Sequence, residues 1–280
     1  IFIAGGTESM SMIPMTGYKL APSYKANIEN INYHISMGHT AEAVAEKYNI
    51  SREDADKFSY ESHKKAGKAI DSGVFKNQIV PINVNEIFVE NGLRTTTTNL
   101  VDTDEGVRRD TTLEGLAKLN PVFKKGGIIT AGNASQTSDG AAFVLVVSES
   151  ILKEYNLNPI ARLVSCSVGG VDPLYMGIGP CVAIPKALNQ AGLKLEDIDL
   201  IELNEAFAAQ ALAVIQEAKL DPKKVNVNGG AIALGHPLGC TGAKLSIQLL
   251  DEMKNRNQRY GMVTACVGGG QGISGIFERL

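Results

Sequence analysis

Hydrophobic and polar positions divide this chain into an irregular first part and a regular second part. From about residue 159, short apolar runs alternate with amphipathic stretches. Residues 161–168, 198–203, 225–227, 261–266 and 272–277 read as strands, and 181–191, 205–218 and 238–253 as helices. Strands that alternate with helices predict a covered, largely parallel sheet. The run 141–147 is continuously apolar and rich in Val, the pattern of a buried strand. The opening Ile1-Phe2-Ile3-Ala4-Gly5-Gly6 has the pattern of a buried strand's end. It lacks an initiator Met and begins in mid-strand, so the sequence is read as missing an N-terminal portion.

Between these pieces the pattern is looser. Residues 40–48 have helical composition, and Ser51-Arg52-Glu53-Asp54 has capping-box spacing for a second helix reaching about Ala69. Val80, Ile82 and Val84 alternate as a short strand, whereas 90–112, with its run of threonines, reads as polar loop. A short helix is predicted over 113–119, before Pro121, and a Gly/Asn/Ser loop precedes the strand at 141. Residues 7–137 therefore read as a helix-and-loop insert.

Composition narrows the classes. A length of 280 residues suggests two domains, and 44% apolar with 20% charged residues suits a soluble protein with a full core. The absence of Trp argues against an aromatic cage, and a formal charge of −3 does not point to nucleic acid. An anionic ligand would need local basic residues. Cys166, Cys181, Cys240 and Cys266 form no C-x-x-C pair, so no metal site is expected. They are too scattered for a disulfide framework, which points to a reducing compartment. No apolar run has the length of a membrane span, and the start lacks the regions of a signal peptide. A cytoplasmic location is expected, with an organelle left open. The sequons at Asn49 and Asn133 are read as chance.

Three motifs carry candidate chemistry. Asn204-Glu205-Ala206-Phe207-Ala208 places Asn204 at the carboxyl end of a strand, where open α/β sheets bind ligands. Its amide either caps the next helix or orients a water or oxyanion. In Gly229-Gly230-Ala231-Ile232-Ala233-Leu234-Gly235-His236-Pro237-Leu238-Gly239, His236 precedes a helix N-terminus, which disfavours imidazolium and keeps the ring ready to accept a proton. The other reading is a structural His in a glycine-rich turn. In Cys266-Val267-Gly268-Gly269-Gly270-Gln271-Gly272, the Cys at a strand end is either inert or a proton-transfer group, and the glycine N–H groups are free to bind an oxyanion. The G-x-G-x-x-G over 270–275 is discounted, because too few residues follow to form a dinucleotide fold.

With these three motifs in this order, the chain resembles the thiolase family. The likeness extends to AGGTESMS, MGHTAE, DEGVRRDTTLEGLAKLNPVFKK, TAGNASQTSDGAA and VDPLYMGIGP. The resemblance implies a five-layered α-β-α-β-α core with an inserted loop domain, its N-terminal half incomplete here. Residues 1–6 and 138–158 would be remnants of that half, 7–137 the CoA-binding loop domain, and 159–280 the C-terminal half. It implies ping-pong acyl transfer between CoA thioesters, with coenzyme A as substrate and no tightly bound cofactor. His236 would activate the nucleophile, Cys266 exchange protons, Asn204 hold a catalytic water, and Gly268 serve an oxyanion hole. Arg108 would meet the CoA phosphates, Ser135 the pantetheine, and Phe123 and Met176 the same channel. The nucleophilic Cys segment of the family is not among these residues, so the 280-residue chain alone is expected to be inactive. Ser36 stands where some biosynthetic members have His, which weakens a carry-over of their acyl pocket. The motifs lean to a 3-ketoacyl-CoA thiolase of β-oxidation, with an acetoacetyl-CoA enzyme as the alternative. A non-catalytic CoA- or lipid-binding module is the reading from another class. Family members assemble as homodimers or homotetramers.

Overall fold

The computed structural model describes residues 1–280. The first part of the chain runs β1 (Phe2–Ser9), α1 (Tyr24–Glu29), α2 (Met37–Lys47), α3 (Arg52–Asp71), β2 (Ile82–Glu90), β3 (Leu93–Val101), α4 (Leu113–Ala117), β4 (Asp139–Val146) and α5 (Glu149–Glu154). The second runs β5 (Ala161–Gly170), α6 (Gly179–Ala191), β6 (Leu200–Leu203), α7 (Ala208–Glu217), α8 (Ala231–Leu234), α9 (Thr241–Asn255), β7 (Tyr260–Val267) and β8 (Gln271–Arg279). A 3₁₀ turn, Pro173–Ile178, leads into α6.

The core is a four-stranded sheet in the order β5-β8-β7-β6. On one face, Ile184 and Leu188 of α6 and Val214 of α7 pack on Ile201, Leu203, Met262 and Ile276. On the other face, Leu249 and Met253 of α9 pack on Leu200. The far side of α9 touches β4 and β1, which form a separate antiparallel pair from Phe2↔Val146 to Ser9↔Asp139. The layers thus stack as helix, sheet, helix, sheet. No helix in the chain is long and apolar enough to cross a membrane.

Several expectations need correction. The sheet is not largely parallel, because only β6 and β7 run parallel while β5–β8 and β7–β8 are antiparallel. Gly268–Gly270 joins β7 to β8 in a turn too short for a crossover helix, so a hairpin forms. Val225 makes a single bridge to Ile201 rather than a strand. β1 and β4 are exposed rather than buried, with Phe2, Ile3, Phe143 and Leu145 all open to solvent, since each strand has only the other as partner.

The polar stretch read as loop is a hairpin. β2 and β3 pair from Ile82↔Val101 to Glu90↔Leu93 around Asn91-Gly92. Both turn residues have positive φ, 51° and 78°, the requirement of the two-residue turn that matches strand twist. The short strand read at Val80, Ile82 and Val84 overlaps the start of β2, but almost every hairpin residue is exposed, so the alternation does not continue along β3. The predicted start of α3 holds: Ser51 Oγ accepts the Asp54 N–H at 3.0 Å, and Glu53 and Asp54 place negative charge in the first turn.

Gly92→Val would force a β-branched residue into the left-handed region. The expected outcome is loss of amide-exchange protection across 82–101 with the global Tm unchanged, because the hairpin lies outside the core clusters. A fall in Tm of several degrees would show instead that the hairpin supports the core.

Candidate active site

The site forms at the carboxyl end of β6, where α7 does not start at once. Its N-cap is Phe207 and its first residue Ala208, so Asn204 is not a helix cap. The Asn204 N–H donates to the Thr264 carbonyl at 3.0 Å, which continues the β6–β7 pairing one residue beyond Leu203↔Thr264. Cys266 is two residues further along β7, opposite Gly272 of β8. Strand register alone therefore brings the first and third motifs to the same end of the sheet.

The second motif arrives from the loop between α8 and α9. Asn204 Nδ2 lies 3.2 Å from His236 Nε2, and His236 Nδ1 lies 2.6 Å from Thr241 Oγ1. Asn204 is 1% exposed, and its Oδ1 has no protein partner. Burial, reinforced by the positive charge of Lys244, lowers the His236 pKa to about 4, so the imidazole is neutral at pH 7. Burial pushes the Cys266 thiol up to about 12, so it stays protonated. The glycines after it face open space: a side chain added at Gly268 or Gly269 would meet nothing.

Glu205 is as buried as Asn204. Its carboxylate accepts from Ser62 Oγ at 2.7 Å, from Asn226 Nδ2 at 2.8 Å and from the Ile232 N–H at 3.3 Å. Ser62 in turn accepts the Gly230 N–H at 3.1 Å. Position 230 must be Gly, because a Cβ there would overlap that carboxylate.

The residues expected to meet CoA fall into two groups. Two lie against the segment that follows Asn204, and the third is buried in the turn before α6. Ser135 donates its N–H to the Ala206 carbonyl at 2.9 Å. The Phe123 ring packs edge-on against Phe207, with centroids 6.2 Å apart, and Met176 is buried in the 3₁₀ turn. Arg108 lies apart from them, in a cavity of about 280 Å³ with no hydrophobic lining residue. Lys64, Lys68 and Arg109 share that cavity, and Asp71 is its sole acid, engaged by Arg109 at 2.8 Å. The Arg108 N–H donates to His63 Nδ1 at 3.2 Å. A larger cleft of about 530 Å³ beside α2 contains none of these residues, and Lys124 on its rim pairs with Glu46 at 2.9 Å as a surface lysine.

Family models of the thiolase N-terminal and C-terminal domains match residues 1–150 and 157–279. The chain belongs to the thiolase family. It is 52% identical to a 3-ketoacyl-CoA thiolase of Bacillus subtilis (strain 168) over 277 residues, 99% of this chain and 71% of that protein. A crystal structure titled human mitochondrial 3-ketoacyl-CoA thiolase in complex with CoA superposes with a TM-score of 0.87 at 43% identity, covering 99% of this chain and 70% of that one. The dimeric peroxisomal thiolase of Saccharomyces cerevisiae gives 0.86 at 40% identity, covering 99% and 68%. The fold is accordingly that of thiolases.

Reading the sequence missed Glu205, Ser62, Thr241 and the two lysines of this thiolase chain. Lys64 and Lys68 were visible as a four-residue pair on one face of α3. Glu205 was visible as an acid between a buried strand and an alanine-rich helix.

Glu202 gives this site a pH signature. It is 2% exposed and its Oε2 has no partner; burial, partly opposed by Lys244, raises its carboxyl from 4.5 to about 8. Between these values the folded chain holds a proton that the unfolded chain has released, so this group lowers stability as pH rises. Glu202→Gln should match the parent Tm near pH 5 and exceed it by several degrees near pH 8. Thermal scans showing a pH-independent difference would contradict this.

Proposed function

We propose that this chain supplies the proton-transfer and oxyanion side of a thiolase active site. The reaction is reversible acyl transfer, 3-ketoacyl-CoA and CoA giving acyl-CoA and acetyl-CoA. The observation that carries the reading is the contact between Asn204 and a neutral His236 at the strand end that also bears Cys266.

His236 accepts the proton of the attacking thiol, a role for which a neutral ring with an accessible nitrogen is suited. Cys266, kept as a thiol, donates to the departing carbanion or CoA thiolate and recovers the proton in the reverse step. The unpaired Oδ1 of Asn204 supports its role in holding a water beside Nε2, so that water and ring together bind one oxyanion. The open backbone at Gly268 suits the second oxyanion. The acyl-bearing thiol is assigned to none of the four cysteines. Cys166 is on outer strand β5, Cys181 packs on the core cluster, and Cys240 is buried.

Residues 7–137 are proposed as the loop domain that receives CoA. Arg108, with Lys64 and Lys68, supplies a cationic pocket for its phosphates. Ser135, Phe123 and Met176 supply the pantetheine channel, a reading supported for Ser135 and Phe123 by their contacts with Ala206 and Phe207. The substrate leaning is to 3-ketoacyl-CoA of β-oxidation, as the name of the Bacillus relative suggests. Assembly as a homo-oligomer is inferred by analogy with the dimeric yeast enzyme. A cytoplasmic location fits four free cysteines.

In the protein expressed from its own gene, His236→Ala and Cys266→Ala should each lower the rate of 3-ketoacyl-CoA thiolysis by at least ~10². Arg108→Ala should raise KM for CoA about tenfold with kcat little changed. Near-parental turnover of both His236 and Cys266 variants would sink the mechanism, and CoA binding without any acyl transfer would favour a carrier role. The isolated 280-residue chain should not become acetylated by acetyl-CoA. Faster turnover of acetoacetyl-CoA than of longer substrates would move the assignment to an acetyl-CoA acetyltransferase.

A further inference from the structure

Thr241, the first residue of α9, is outside the three motifs' recognised chemistry, yet its hydroxyl oxygen makes the shortest contact to the His236 ring, 2.6 Å from Nδ1. The same oxygen is 2.8 Å from the Pro237 carbonyl, which can only accept. A hydroxyl has one proton. If it goes to Pro237, Thr241 must accept from the ring, and Nδ1 must bear the hydrogen. At the opposite edge, Asn204 presents Nδ2, a donor, to Nε2. The commitment of the Thr241 proton to Pro237 therefore specifies one tautomer, Nδ1–H with an Nε2 lone pair, and the Asn204 amide facing Nε2 is compatible with it.

We propose that Thr241 is a positioning residue for His236, fixing the imidazole as the Nδ1–H tautomer so that Nε2 faces the site as the base. This inference rests on the acyl-transfer reading for its catalytic consequence, but not for the tautomer itself. Thr241 is 6% exposed, and its own N–H donates to Pro237 at 3.1 Å, so its hydroxyl is held in place by the helix start. The opposite tautomer would set Nε2–H against the Asn204 amide hydrogens and draw the Thr241 proton away from Pro237. The proton balance is simple. A thiol S–H gives its proton to Nε2, the ring becomes an imidazolium, and Nδ1–H remains bonded to Thr241. No proton passes beyond the ring, because Thr241's own hydrogen is committed to Pro237. The arrangement orients a base and is not a relay. Lys244, one turn along α9, adds positive charge near the ring and returns the imidazolium readily to its neutral form.

The test uses ¹⁵N-histidine labelling of the protein expressed from its own gene, together with kinetics. The 280 residues contain four histidines, so the His236 ring signals are assignable by comparison with His236→Asn. The parent should show a protonated Nδ1 and an unprotonated Nε2 at pH 7. Thr241→Val should shift the ring toward Nε2–H and lower kcat roughly fiftyfold, with KM within about twofold, and Thr241→Ser should restore both readouts. A parent ring that is Nε2–H overturns the proposal, as does a Thr241→Val protein with unchanged tautomer and kcat. If Thr241→Val does not fold, the parent spectrum and Thr241→Ser decide alone. A parent with the Nδ1–H ring but no acyl transfer would refute the proposed function while leaving the role of Thr241 intact.

Discussion

The carboxylate of Glu205 joins the segments from which the site is assembled. It gathers a hydroxyl from α3, an amide from the loop after α7 and a backbone N–H from α8, all in the interior. Asn226 extends the tie by exchanging hydrogen bonds with both the N–H and the carbonyl of Leu203, at 2.8 Å each. Burial raises the carboxyl's pKa, and the same donors oppose that rise by solvating the charge. Stripped of the carboxylate, each donor would be left in the interior without a partner, at about 1–3 kcal/mol apiece. Asn204 is the preceding residue, and His236 follows α8 after a single glycine. Their contact thus depends on an interaction that performs no chemistry.

Helix α9 is the second organiser. Its first residue touches the His236 ring, its middle packs beneath the sheet, and its outer side contacts β1 and β4. A helix sandwiched between two sheets has little freedom to shift. Ser62 and His63, neighbours on α3, extend this rigidity to the cavity that holds Arg108. One bonds into the catalytic interior and the other receives the backbone of Arg108. The Asn204–His236 site and the cavity around Arg108 are therefore parts of one connected framework.

Most of the candidate site was legible in the sequence because its residues sit in contiguous motifs. Asn204 and Cys266 lie at strand ends and His236 lies in the loop between α8 and α9, and only the register of β6 on β7 and the Asn204–His236 contact show their convergence. The direction of the sheet was not legible. Alternating helices and strands suggest parallel pairing, whereas the short Gly268–Gly270 turn enforces a hairpin at the end of the chain. The β2–β3 hairpin escaped because a strand exposed on both faces has no reason to alternate, even though Asn91-Gly92 announced its turn. The apolar runs of β1 and β4 lie open within these 280 residues, because each strand has only the other as partner.

The pairing of β1 with β4 also bears on how the chain reaches this fold. Phe2 pairs with Val146, so the whole insert must be synthesised before β1 can meet β4. Closing so long a loop is entropically slow unless the intervening helices have already condensed and drawn its ends together. The β1–β4 pair is therefore a contact that follows, and does not lead, the condensation of the helices between its strands.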